Sequence, residues 1–137
     1  MARRLLLALW VLALLAGCAG QPAAAPPPTP DQIVEKFKAA GLEADGPRVL
    51  TKDDYGMAPY VGSGVRFLIP SLGADKGGRV FVVTDAQERA NLVKYYTELG
   101  KSSAMLFSWV FESGPVVVQI NGDLPEATAR KYEAALK

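Results

Sequence analysis

The sequence predicts an α+β domain of two layers, with a mostly antiparallel four-stranded sheet and three helices in the order αββαββα. Apolar runs of strand length occur in two pairs, and each pair is joined by a turn that contains glycine. Segments with apolar residues at helical spacing precede, separate and follow these pairs. Paired strands with helices between them are typical of an α+β fold with an antiparallel sheet.

The first helix is predicted over residues 30–40. Thr29, Pro30 and Gln32 match the N-cap, the first-turn proline and the reaching residue of a capping box. Apolar residues then recur at helical spacing. Gly41 supplies the left-handed position that ends many helices, so we expect the helix to stop there.

The first strand pair is predicted at residues 65–70 (VRFLIP) and 79–83 (RVFVV), with the Gly-rich segment SLGADKGG as the turn between them. Thr84 and Gln87 form a second capping-box pattern after this pair. The helix that begins there is predicted to run to Leu99, because a glycine follows.

The second strand pair is predicted at residues 104–111 and 116–120, and residues 112–115 (ESGP) form a hairpin connection. A last helix follows this hairpin. Asp123 is its predicted N-cap and Glu126 occupies the third helical position, as in a capping box. The chain therefore contains two helix-plus-hairpin units and a closing helix.

The predicted strands are apolar on both faces, and Trp109 and Val110 illustrate this on the third strand. A sheet with one face in water normally alternates apolar and polar residues. Both faces are therefore predicted to need cover. We expect the three helices to cover one face, and the second face to meet a long loop, a partner chain or an apolar ligand.

Residues 51–64 (TKDDYGMAPYVGSG) form a long connection that carries Tyr55, Met57 and Tyr60. Long loops in small domains are often functional, and tyrosine is well suited to recognition. These three residues and Trp109 are therefore candidate binding residues. The alternative, which we favour for the loop, is that its aromatic side chains pack onto the sheet as a lid.

The N-terminus has the three parts of a secretory signal. Arg3 and Arg4 provide a positive start, an unbroken apolar run follows, and small residues precede Cys18, the only cysteine. The apolar run is shorter than the ~20 residues that a membrane-spanning helix needs. An uncleaved membrane anchor is therefore a weaker alternative, as is a plain secretory signal with a chance cysteine.

The segment Leu15-Ala16-Gly17-Cys18 resembles the lipobox of bacterial lipoproteins. The resemblance implies cleavage before Cys18 and attachment of a diacylglycerol to its thiol. We therefore divide the chain into a signal peptide (1–17), a segment with the lipidated cysteine and a Pro/Ala-rich linker (18–29) and a single domain (30–137). Proline favours extended polyproline II structure in such a linker, which makes it a spacer.

The composition offers few means for catalysis. The chain has no histidine, which removes the commonest general base and metal ligand. Gly73 and Gly78 before Arg79 resemble a phosphate-binding P-loop only superficially, because a strand follows instead of a helix. Without residues 1–17, 13 basic residues stand against 14 acidic residues, and no basic cluster favours nucleic acid. We predict no catalytic residue, metal site or cofactor.

The cap-helix-hairpin order, the SWVF run at residues 108–111 and the QINGDLPE turn at residues 119–126 resemble a group of uncharacterised small bacterial lipoproteins. The resemblance spans most of the domain. It implies a location in the cell envelope, on the outer face of the plasma membrane or in the outer membrane, but no activity.

We therefore expect a non-catalytic domain, anchored to the membrane by lipid, that acts in binding or in envelope protein interaction. Its expected contacts are the membrane, through the anchor, and either an envelope protein or a second copy of the chain. A small carrier of apolar ligands is the alternative function, and an enzyme is less favoured.

Overall fold

The computed structural model describes residues 25–137. The predicted signal peptide, Cys18 and the first part of the linker lie outside the described residues. The predicted α+β class is confirmed, since the described chain forms three helices and one antiparallel sheet. The helices and strands are α1 (Pro30–Ala39), β1 (Asp45–Val49), β2 (Gly64–Leu68), β3 (Gly77–Val82), α2 (Ala86–Ser102), β4 (Ser108–Ser113), β5 (Val116–Asn121) and α3 (Glu126–Ala135).

The sheet has five strands in the order β1-β2-β3-β5-β4, and every neighbouring pair is antiparallel. The predicted number of four strands and the order αββαββα are therefore wrong. The missed strand is β1, whose five residues are all exposed. Because β1 buries no side chain, it lacks the apolar alternation by which a half-buried strand is recognised.

Two of the three predicted helix starts are displaced. The capping box of α1 is present: the Thr29 hydroxyl accepts from the Gln32 backbone, and the Gln32 side chain accepts from the Thr29 backbone. In α2 the N-cap is Asp85 instead of the predicted Thr84, and the Asp85 carboxylate accepts from the Glu88 backbone N–H at 2.8 Å. In α3 the N-cap is Pro125 instead of the predicted Asp123.

The first face of the sheet is defined here as the face that carries Val80 and Val118, and it packs against α1 and α3. Phe37 and Tyr132 meet with ring centroids 5.1 Å apart, and both are almost fully buried. The Tyr132 hydroxyl also donates a hydrogen bond to the Glu43 carbonyl at 2.6 Å. This bond ties α3 to the segment before β1, 89 residues away in sequence.

The second face of the sheet, which carries Phe81 and Val117, is covered by α2 and by the loop between β1 and β2. Leu92 and Tyr96 supply the buried side chains of α2, and Tyr55 is the buried aromatic residue of the loop. The expectation that all three helices cover one face was wrong, so the domain has three layers instead of two. The prediction that both faces need cover is confirmed.

Candidate functional site

The two edges of the sheet differ in a way that bears on function. The edge formed by β1 is interrupted, because its register with β2 shifts between Asp45 and Arg48. Gly46 there has a left-handed φ of 51°, and the next residue is Pro47, which has no backbone N–H. Such irregularities prevent another chain from adding to an edge strand. The β1 edge is therefore protected.

The edge formed by β4 has none of these features. Its six residues (SWVFES) pair continuously with β5 and include no proline, glycine or lysine. Within residues 25–137, no strand pairs with its other side. The outward N–H and C=O groups of β4 are therefore free to pair with an added strand.

A groove runs along the open side of β4, and we call it the edge groove. Its volume is about 340 Å³. Gly100 and Lys101 of α2 line it from one face of the sheet, and Arg130 of α3 lines it from the other. Trp109 and Val110 belong to the strand between them. An extended segment beside β4 would therefore lie between two helices.

The chain immediately before β4 exposes three consecutive apolar side chains. Met105 is 95% exposed, Leu106 is 51% exposed and Phe107 is 40% exposed. The sequence placed them in a strand, but Ala104–Leu106 form a 3-10 turn, so that part of the prediction was wrong. Three large apolar residues beside an open strand edge form a surface that favours contact with another protein.

Close packing holds Phe107 in place. A side chain at Gly122 would collide with the backbone oxygen of Phe107, and one at Gly100 would lie 3.2 Å from its ring. Glycine at these two positions lets the C-terminal end of α2 and the turn after β5 approach Phe107 from two sides. The apolar surface before β4 is therefore held in a defined position.

Trp109 is half-buried at the boundary between the core and the edge groove. Its indole N–H donates to the Leu124 carbonyl at 2.8 Å. Its ring lies edge-on to Phe107 with centroids 5.0 Å apart, and the Arg130 guanidinium lies 5.8 Å from the ring centroid. These contacts fix the side chain, so Trp109 contributes to the core and to the groove at once.

The cations that line the edge groove are already neutralised. The Lys101 ammonium lies 2.9 Å from the Glu98 carboxylate, which lowers the pKa of Glu98. The Arg130 guanidinium pairs with Glu133 and Glu126, and these bonds raise the pKa of Arg130. The groove therefore presents apolar surface and backbone groups, with little net charge to select a charged ligand.

The structure separates the other predicted binding residues from Trp109. Tyr55 is 6% exposed, and its ring packs against Phe81 on the second face, as the lid alternative expects. Met57 and Tyr60 are exposed on the same loop, at 90% and 54%. Cys18, the predicted lipidation site, lies outside the described residues.

The surface around β4 also includes residues that the sequence analysis missed. Met105 and Leu106 were predicted to belong to a strand. The sequence around Arg130 gives no indication that its guanidinium lies beside Trp109. Ser103 could have indicated the break, since its hydroxyl caps the 3-10 turn and serine is a favoured N-cap.

Residues 25–137 contain no cluster of three or more metal-ligating acidic, histidine or cysteine side chains. In the same part of the chain, every helix is too short or too polar to cross a membrane.

Comparisons with protein-family models, with curated proteins and with solved structures find no match to this chain.

Proposed function

We propose that this protein is a non-catalytic binding domain of the bacterial cell envelope, held to the membrane by lipid on Cys18, and that it binds an extended segment of a partner protein along β4. The observation that carries the binding proposal is the open edge of β4 beside the exposed side chains of Met105, Leu106 and Phe107.

The chemistry of the edge groove favours a protein segment over a small polar ligand. An added strand would pair with the outward backbone groups of β4, which gives affinity without sequence preference. Its alternate side chains would point towards the two helices, where Trp109 and Val110 offer apolar contacts. Because Lys101 and Arg130 are already paired with carboxylates, we expect these side chains to be apolar.

Site-specific photo-crosslinking in intact cells tests the binding site. A photoreactive residue at Met105 should give a crosslinked product, whereas the same residue at Met57 should not. Met57 is the matched control, because it is 90% exposed and Met105 is 95% exposed. A product with twice the mass of the chain would identify self-association instead of a different partner. Equal crosslinking at both positions, or none at Met105, would contradict the proposal.

The anchor has an independent test. Cys18→Ser should abolish incorporation of a palmitate analogue and cleavage at that site, because the thiol is the group that carries the lipid in the family that the lipobox resembles. Two or more acyl chains hold a protein stably on a membrane, whereas one does not. The readout is the acyl label and the mass of the chain, because the uncleaved apolar run of the variant would itself keep it in the membrane fraction. Label retained in Cys18→Ser would refute lipidation at this residue.

The alternative function, a small carrier of apolar ligands, is favoured by a second surface. An open groove of about 490 Å³ lies between Pro59 of the loop and α2, where Tyr95 and Leu99 line it. A carrier would bind a fluorescent fatty acid here with saturation, and Leu99→Lys would remove that binding. Saturable binding that survives Leu99→Lys, or no binding, would count against this alternative.

A further inference from the structure

Three arginines lie side by side on the second face of the sheet, on three adjacent strands. Arg48 of β1 is opposite Arg66 of β2, and Arg66 is opposite Arg79 of β3. Like charges at directly opposed positions of a sheet destabilise it. Such a row therefore needs compensating negative charge.

Arg48 receives that compensation within the domain. Its guanidinium donates to both carboxylate oxygens of Asp54, at 2.8 and 2.9 Å. The Arg48 guanidinium beside Asp54 is the largest cause that holds the pKa of Asp54 well below its usual range. The first arginine of the row is thus neutralised.

Arg66 and Arg79 receive only neutral partners. Arg66 donates to the backbone carbonyl of Asp75 at 2.8 Å, and Arg79 donates to the side-chain oxygen of Gln119 at 3.0 Å. Within residues 25–137, no carboxylate forms a salt bridge with either guanidinium. The Arg79 Nε atom is also buried without a hydrogen-bond partner among these residues. Two neighbouring positive charges therefore remain uncompensated.

Both arginines line one cavity of about 310 Å³, which we call the cationic groove. Lys76, Gly77 and Gly78 continue its wall. Asp75 is the single carboxylate among the lining residues, and Lys76 is paired with Asp123 outside them. The cavity therefore has a net positive lining, and it lies in the part of the second face that α2 leaves open.

The position of Arg79 is set by buried neighbours. Gln119 is 7% exposed, and its amide nitrogen donates to the Ser108 hydroxyl at 2.8 Å, which leaves its oxygen for Arg79. Burial raises the pKa of Tyr96, and the Arg79 guanidinium opposes that rise, so this hydroxyl also lies near the guanidinium. A pre-oriented guanidinium loses little entropy when it binds an oxyanion.

We propose that the cationic groove is a binding site for a phosphate-type oxyanion, held by the guanidinium groups of Arg66 and Arg79. Guanidinium groups match the oxygens of phosphate in geometry and form strong charge-assisted hydrogen bonds. The cationic groove shares no lining residue with the edge groove, so this site is separate from the proposed protein-binding surface. The phosphate belongs either to a free phosphate monoester or to a phospholipid headgroup.

The full chain in a neutral detergent tests the site by NMR titration with inorganic phosphate, at constant ionic strength. We expect saturable shifts of the Gly77 and Gly78 amides. Arg66→Gln should weaken binding about tenfold or more, as expected for loss of a hydrogen bond to a charged group. The double variant Arg48→Gln/Asp54→Asn is the matched control, because it removes the neutral ion pair from the same row, and it should leave the phosphate affinity unchanged.

A second arm distinguishes the two sources of phosphate. Shifts that appear only when the micelles contain phosphatidic acid assign the site to a lipid headgroup, whereas saturation with inorganic phosphate assigns it to a free ligand. Arg66→Lys keeps the charge but replaces the planar guanidinium, so it keeps the test valid if Arg66→Gln does not fold, and it too should weaken binding. Equal weakening by Arg48→Gln/Asp54→Asn, or no saturable shift with either probe, would overturn the proposal.

Discussion

Two buried tyrosines should respond in opposite ways to the same substitution. Tyr132 is 1% exposed, and its hydroxyl donates to the Glu43 carbonyl at 2.6 Å. Tyr55 is 6% exposed, and its hydroxyl is buried with no hydrogen-bond partner among residues 25–137. Replacement by phenylalanine removes one oxygen from each side chain and keeps the ring, so each variant is the control for the other.

The magnitudes follow from these contacts. Tyr132→Phe removes a satisfied hydrogen bond, which should lower the free energy of unfolding by about 1 kcal/mol. Burial of a hydroxyl without a hydrogen-bond partner costs about 1–3 kcal/mol in protein mutational data. Tyr55→Phe removes such a hydroxyl and therefore removes this cost. The Tyr55 variant should therefore be unchanged or more stable. The two variants should differ by about 1–4 kcal/mol in the free energy of unfolding.

Urea titration followed by far-UV circular dichroism measures this difference on the full chain in a mild detergent. Both tyrosines are protonated at pH 7, so ionisation does not enter the comparison. Unchanged slopes with denaturant would show that only stability differs. If Tyr55→Phe loses as much stability as Tyr132→Phe, then the Tyr55 hydroxyl is satisfied and the reasoning from its burial is refuted.

Two further predictions concern pH. Burial raises the pKa of Tyr55 and of Tyr132 to about 12. The two neutral hydroxyls therefore leave the folding stability unchanged below about pH 10, the ordinary pKa of tyrosine. Between about pH 10 and 12 the free energy of unfolding falls, because the hydroxyls ionise more readily in the unfolded chain. Melting temperatures of the two phenylalanine variants should therefore fall less steeply there than those of the wild type, and equal slopes would contradict this. The Arg48 guanidinium is the main cause that lowers the pKa of Asp54, so the melting-temperature difference between the wild type and Asp54→Asn should stay constant near neutral pH and shrink below about pH 4. A difference that grows in acid would exclude this role for the carboxylate.

The parts of the fold predicted from the sequence are those that short-range interactions decide. The Thr29 capping box joins residues three apart, and the structure contains both of its hydrogen bonds. The strand predicted at 116–120 matches β5. Its apolar run was recognisable because five of the six residues of β5 are buried. Residues 45–49 were missed because that strand is exposed throughout, so its sequence does not alternate.

The surfaces proposed for binding depended on long-range contacts. Met105 is apolar and was assigned to a strand, but it is 95% exposed. The adjoining Phe107 is held by close approach of Gly100 and Gly122, which come from two other parts of the chain. The spacing of apolar residues along the chain does not indicate contacts with distant segments such as these, so the sequence could not show that this apolar run lies on the surface.

The sequence by itself determined the α+β class, most of the helices and strands, and the need to cover both sheet faces, because these follow from local periodicity and turn chemistry. Only the tertiary structure decided that α2 covers the second face, that β4 is left as an open edge, and that Arg66 and Arg79 lie side by side. The physical reason is that β3 pairs with β5, beyond α2 and β4 in the chain. Such a pairing is decided by the packing of the whole domain.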